Sequence, residues 1–210
     1  MFIDLDIERF LNFPVSSNCF VVSAAGNECI LVDPACGDGK ALLDHLAAHH
    51  LKPVYIILTH EHFDHISSVE CIRNNYPCKV VASAECSASI GNSKKNLSLF
   101  YDQQGFTCKP ADILVNENNF VLNWNGITLR FQSTPGHTEG SICFSIGNNL
   151  FTGDTLMNGY KPVVKLPGGN IKKLEQSINR LLREYSGETI VFPGHGETFM
   201  LKDINKVVIE

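Results

Sequence analysis

The amino-acid sequence predicts a mixed α/β fold of two β-sheets, each covered by helices on its outer face. Three observations carry that expectation. Short β-branched runs open the chain and return in its second half; segments with apolar residues at helical spacing lie between them and again near the end; and no internal repeat recurs at a fixed period. At 210 residues, the whole of 1–210 is expected to form one domain around a core that buries most of its apolar surface.

Taken in order, the runs Asn18 to Ser23 and Cys29 to Val32 flank Ala24-Ala25-Gly26-Asn27, a turn-forming cluster, and together predict an antiparallel hairpin. Lys40 to His50 carries Leu42, Leu43, Leu46 and Ala47 at helical spacing. Pro53 is expected to mark the end of that helix, ahead of a buried strand Val54 to Leu58. Val69, Ile72 and Arg73 fit a short helix, and Lys79 to Ala82 another strand. Residues 83–117 are more polar and less periodic, which predicts short helices and a long connection. Strand character returns in Phe120 to Leu122, Ile127 to Phe131, Ser141 to Ile146 and Leu150-Phe151, with Asn-Gly and Gly-Asn-Asn turns between them. Asn170 is the expected cap of a late helix whose stripe Ile171, Leu174, Ile178, Leu181, Leu182 and Tyr185 faces a core and ends near Gly187. Thr189 to Phe192 is the last expected strand.

Composition narrows the function classes. Hydrophobic residues make up 44% and charged residues 19%, an ordinary globular balance. The net charge of −5, with lysines scattered apart from Lys94-Lys95 and Lys172-Lys173, argues against a nucleic-acid partner. No apolar run approaches the length of a membrane span, so no membrane partner is expected. The acidic stretch Met1 to Asp6 lacks the basic and apolar regions of a secretory signal, and a cytoplasmic location is expected. Eight cysteines at 19, 29, 36, 71, 78, 86, 108 and 143 form no C-x-x-C pair. That pattern disfavours a thiolate metal site and predicts small buried hydrophobes, Cys143 most clearly.

The chemistry is concentrated in Thr59-His60-Glu61-His62-Phe63-Asp64-His65. His60 and His62 are two apart, so an extended segment leaving a strand projects both to one side, as two ligands of one ion require. Asp64 and His65 follow, and a helix start there would turn them toward a second, adjacent ion. Three further loops follow or break strands: Thr134-Pro135-Gly136-His137-Thr138, Thr152-Gly153-Asp154-Thr155 and Pro193-Gly194-His195-Gly196. A glycine beside each donor permits close packing in a crowded site. Asp154 between two ions could bridge them. Imidazole nitrogens with carboxylate oxygens and no thiolate suit two divalent cations, zinc first, with iron or manganese compatible. His45, His49 and His50, on or just past a helix, are expected to be surface or satisfied core residues.

With these motifs the chain resembles the metallo-β-lactamase-fold superfamily, and within it the small glyoxalase II-like (hydroxyacylglutathione hydrolase-like) hydrolases. T-H-E-H-F-D-H, T-P-G-H-T-E-G-S, G-D-T-L and P-G-H-G-E occur in the family's order. Ile30-Leu31-Val32-Asp33-Pro34, Lys95-Asn96-Leu97-Ser98 and Leu166-Pro167-Gly168-Gly169-Asn170 resemble family segments between them. The resemblance implies a four-layer αββα sandwich with the site at one edge between the sheets. It implies that His60, His62 and His137 hold one metal, that Asp64, His65 and His195 hold the other, and that Asp154 bridges. His60, His62 and Asp64 make up the catalytic set, Asp64 as a ligand that can also accept a proton. Asp33 could orient a metal-binding histidine.

From the ligand set follows a dinuclear metal-dependent hydrolase, in which hydroxide formed from a metal-bound water attacks a small thioester or ester. Departures from the family bear on substrate. Glyoxalase II proper carries a C-terminal helical domain that contributes to the glutathione site, whereas 15 residues follow His195 here, so glutathione specificity is not expected. The stretch Tyr160 to Gly169 lacks an Arg and Asp found in many small relatives, and Tyr160, Lys161 and Lys165 are candidates to bind an anionic group of a small-molecule substrate. The alternative is a mononuclear-iron redox enzyme resembling the persulfide dioxygenases, which use a subset of these ligands. Asp154 in a G-D-T context and the expected lack of a signal disfavour a β-lactamase proper. Oligomeric state is not legible in these residues.

Overall fold

A computed structural model of the protein describes residues 5–116 and 119–204. Met1 to Asp4 of the acidic N-terminal stretch and Glu117 of the 83–117 segment lie outside the described residues. The first half forms a six-stranded sheet in chain order: β1 (Asp6–Asn12), β2 (Ser17–Ser23), β3 (Glu28–Val32), β4 (Lys52–Ile57), β5 (Lys79–Ser83) and β6 (Ile113–Val115). β1, β2 and β3 pair antiparallel, and β3 to β6 run parallel. Parallel neighbours need crossovers, and helices supply them: α1 (Lys40–Ala48), α2 (Phe63–Ile66), α3 (Val69–Asn75), α4 (Ala84–Ile90) and α5 (Ser98–Asp102).

The second half forms the other six-stranded sheet: β7 (Phe120–Trp124), β8 (Ile127–Ser133), β9 (Ile142–Ile146), β10 (Asn149–Gly153), β11 (Ile190–Pro193) and β12 (Phe199–Met200). Its one parallel pair, β10 with β11, is joined through α6 (Ile171–Glu184).

Strand alternation builds the layers. Odd and even residues of a strand face opposite sides, and here both sides are apolar. Val21, Leu31, Ile56, Val80 and Ala82 pack with Leu42, Leu46, Val69, Ile72 and Ile90 of the helices on one face. Their neighbours Phe20, Val22, Ile30, Val32, Ile57 and Val81 turn the other way, onto Leu129, Phe131, Phe144 and Phe151 of the second sheet. Phe131, Phe144, Phe151 and Phe192 stack in sequence with centroids 4.7 to 5.3 Å apart. On the far side of the second sheet, Leu150 and Val191 meet Leu174, Ile178 and Leu181 of α6. The result is the expected αββα sandwich.

Several expectations shift in detail. Pro53 lies inside β4 rather than before it, where the register with β3 slips between Cys29 and Ile30, a bulge that spares proline a ladder hydrogen bond. Residues 83–117 contain short helices, as expected, in α4 and α5, and also β6, whose three residues are too short to show a period. β1 was not foreseen: it is half-buried and carries Asp6, Glu8 and Arg9 among its apolar residues. Among the described residues no helix is long and apolar enough to cross a membrane.

Candidate metal centre

The site grows from strand ends that meet at one edge of the sandwich. β4 delivers Thr59 to His62, and α2 begins directly after His62, turning Asp64 and His65 inward. β8 leads into the His137 loop, β10 ends at Gly153 beside Asp154, and β11 ends at Pro193 two residues before His195. The backbone ties the two sheets together here. Ile142 N donates to Thr59 O at 2.8 Å, Asn18 N to Gly194 O at 2.6 Å, and Ser17 bridges antiparallel to His195.

All seven expected residues converge, in two groups. Donor atoms of His60, His62 and His137 lie within 4.8 Å of one another, and so do those of Asp64, His65 and His195. Asp154 stands between them: one carboxylate oxygen is 3.6 Å from His65 Nε2, and the other is 3.5 Å from both His137 Nε2 and His195 Nε2. His195 Nε2 is also 3.4 Å from Asp64. A third group, Asp33 with His60 and His65, shares these histidines, but the Asp33 oxygens are already engaged.

Hydrogen bonds set which ring nitrogen faces inward. His65 Nδ1 lies 3.1 Å from Asp33 Oδ2, so in the neutral ring, as an ion would bind it, the proton sits on Nδ1 and Nε2 faces the centre. Asp33 also accepts from Thr59 N at 2.7 Å and from the Thr59 hydroxyl, which in turn lies 3.1 Å from His60 Nδ1. His137 Nδ1 donates to Val163 O at 2.8 Å, freeing its Nε2. Asp33 thus takes the orienting role that its place after β3 suggested. Val163 was not foreseen, because a backbone carbonyl leaves no mark in the residue type.

The donor chemistry fits two cations. Buried Nε2 atoms of His60 and His65 and an oxygen of Asp154 have no hydrogen-bond partner, a costly state for buried polar atoms unless an ion takes them up. His137 Nε2 and His62 Nδ1 are 3.0 Å apart, near the roughly 3.4 Å expected of two nitrogens on one tetrahedral ion. Burial first, then His65 and the other histidines, holds His60 well below its usual pKa, and burial with His137 pushes His62 down to about 3. Both rings are therefore neutral and able to coordinate. At the other group burial opposes charge on His65, yet Asp64, Asp154 and Asp33 raise its pKa to about 10. Three carboxylates around one imidazole are an excess of negative charge that a cation offsets.

Further residues hold the frame. Glu61, buried between the two histidines, accepts from Thr138 Oγ1 at 2.9 Å, and burial pushes its carboxyl pKa up. Asn12 Nδ2 and Ser17 Oγ both donate to the carbonyl of Asp64. A Cβ on Gly194 would collide with the Asp154 carboxylate, and one on Gly153, at φ 48°, with the Thr59 side chain. These glycines make room for neighbouring side chains around the donors.

In front of the donors lies a cavity of about 340 Å³ lined by His62, Asp64, His137, Asp154 and His195, with Tyr160 and Lys161 also on its wall. Lys165 is exposed and does not line it. His45 lies away from this cavity, its Nε2 3.2 Å from Glu8 Oε1 and its ring edge-on against Phe10, a place in the packing of the fold. The eight cysteines are free thiols; Cys143 lies buried against Thr134.

Over residues 12–195 the chain matches the Metallo-beta-lactamase superfamily. It is 30% identical over 193 residues to the probable metallo-hydrolase YqgX of Bacillus subtilis, covering 90% of each chain. Among solved structures it is similar to the B3 metallo-beta-lactamase BLEG-1, with a TM-score of 0.90, 29% identity and coverage of 98% of this chain and 100% of that one. It is also similar to TTHA1623 in a di-iron-bound form, with a TM-score of 0.79, 27% identity and coverage of 93% and 95%.

Proposed function

Because the chain belongs to the metallo-beta-lactamase superfamily, we propose that it is a dinuclear metal-dependent hydrolase acting on small thioesters or esters, glyoxalase II-like in its chemistry. The observation that carries this reading is the pair of three-residue donor groups with Asp154 between them. His60, His62 and His137 would hold one cation, Asp64, His65 and His195 the other, and Asp154 would serve both. Two such cations supply an acidified water as nucleophile and an electrophile for the carbonyl. The di-iron form of TTHA1623 and the metallo-hydrolase name of the Bacillus relative support a two-metal hydrolytic assignment. Zinc is the metal we assign, with iron or manganese compatible.

The chain's own residues do the rest. Asp33 and the Val163 carbonyl keep two imidazoles in the tautomer that faces inward. Asp64 could accept the proton that the attacking water gives up and pass it to the departing thiolate or alkoxide. Tyr160 and Lys161 stand where an anionic substrate group could be met; Lys165 would have to reach in from the outer loop.

The test pairs metal quantification with a panel of acyl thioesters, aryl esters, lactones, phosphodiesters and β-lactams. About two metals per chain and turnover of a thioester or ester is the expected result. Asp154→Ala and His62→Ala should each lower kcat/KM by at least about a thousandfold while circular dichroism stays native. The likeness to BLEG-1 favours β-lactam hydrolysis as a second reading, and preference for that arm would replace the first. One iron per chain with oxygen uptake on a glutathione persulfide would sink the hydrolase reading altogether.

A further inference from the structure

Beside the metal cavity lies a second recess of about 440 Å³, lined by Phe63, Leu97, Phe100, Tyr101, Leu166 and Pro167, with no charged residue among them. The two spaces share Phe63, Leu97 and Leu166 as common walls. Phe63 stands between His62 and Asp64 in the chain, and its ring stacks on Tyr101 with centroids 4.5 Å apart. The recess is therefore built onto the catalytic loop itself.

Its residues are costly to display. Phe100 is 71% exposed and Tyr101 50%, a concentration of apolar surface that folding alone would hide. Leu97 sits at φ 67°, the left-handed region that a branched side chain rarely enters. The surroundings over-determine that conformation. Buried Asn96 donates to Phe106 O at 2.9 Å and Ile90 O at 3.2 Å, accepts from Ser98 N at 2.9 Å, and its carbonyl accepts from Phe63 N at 2.8 Å. Backbone strain held in place beside a reactive centre points to a side chain whose position matters for function.

From this geometry we infer that the recess receives the apolar part of the substrate, a medium-length alkyl or arylalkyl chain, while the scissile carbonyl lies at the metal donors. The inference rests on the hydrolase reading only for where the bond is cut. Apolar lining continuous with a few converging polar groups is the usual make-up of a small-molecule site. Burying each further methylene there tightens binding by about fourfold until the recess is filled.

The test measures binding as well as turnover. Ethylphosphonate and n-octylphosphonate, the latter below its micellar concentration, are titrated into zinc-loaded protein by calorimetry. The octyl compound is expected to bind at least about 50-fold more tightly. Phe100→Ser, at an exposed position, and Leu97→Gly, which relieves the left-handed strain, should each cut that ratio at least about fivefold. Val121→Ser, at an exposed apolar residue of β7 outside both cavities, should leave it unchanged. A ratio below about threefold, or one that both recess substitutions leave intact, overturns the inference. An acetyl thioester run alongside separates the two ideas. Metal-dependent turnover without an octyl preference removes the recess and keeps the hydrolase; octyl preference lost in the recess variants, with no ester cleaved, does the reverse.

Discussion

Asp33 holds a left-handed φ of 48° and divides its carboxylate between Thr59 and His65. Asparagine tolerates the same backbone, so Asp33→Asn isolates the hydrogen bonding. Its amide group must face either His65 or Thr59 with a donor against a donor, and metal affinity should fall about 10- to 100-fold, read by competition with a chromophoric chelator. Gly194→Ala places a methyl group where the Asp154 carboxylate lies. That variant should lose at least about tenfold in metal affinity and bind close to one metal instead of two on elemental analysis. Cysteines make a separate prediction. Burial pushes Cys29 and Cys108 up to about 12, Cys143 up to about 11, and Cys86 well above its usual value. A folded pKa raised above the unfolded one gives stability that is intact below about pH 8.5 and declines as pH rises toward the folded value. Each such thiol contributes a loss of about 1.4 kcal/mol per pH unit in that window, so urea midpoints should drop between pH 8 and 10. Thiol reagents at pH 8 should reach Cys36, Cys71 and Cys78 first, since these three alone are partly exposed.

Elements differ in how well their own residues announce them. α6 was legible in all but its first residue: Asn170 accepts from Lys173 N at 3.1 Å, and Leu174, Ile178 and Leu181 are buried at helical spacing, while Ile171, expected in the same stripe, is exposed. Asn170→Ala should cost about 1 kcal/mol of unfolding free energy, measured by urea denaturation. The central strands β2 to β5 were equally plain because their β-branched runs are buried on both faces. β1 and β6 were not, for opposite reasons. β1 is half-exposed and carries charge, so its apolar face is diluted; β6 has three residues and borrows its definition from pairing with β5. The strand-like position of Pro53 likewise depends on a bulge against β3, which a local window cannot see.

At the scale of the molecule, the proposed metal donors come from both sheets. His60, His62, Asp64 and His65 follow β4, whereas His137, Asp154 and His195 follow β8, β10 and β11. Ions bound there would clamp the two halves together, so chelation should lower the thermal midpoint. At free metal a thousandfold above its Kd, the lost stabilisation is about 4 kcal/mol for each ion. The scan should show metal-dependent unfolding in the wild type and almost none in Asp154→Ala.

What the amino-acid order showed by itself was the candidate donor set, the spacing of His60, His62, Asp64 and His65, and the alternation that builds two sheets. Those are local properties, carried by residue type and by periods of two or of 3.6. Only the tertiary structure decided that Asp33 turns His65, that the Val163 carbonyl turns His137, and that Phe63, Leu97 and Leu166 join an apolar recess to the metal cavity. Each of those contacts joins segments more than 25 residues apart, so it comes into being only when the chain has closed on itself.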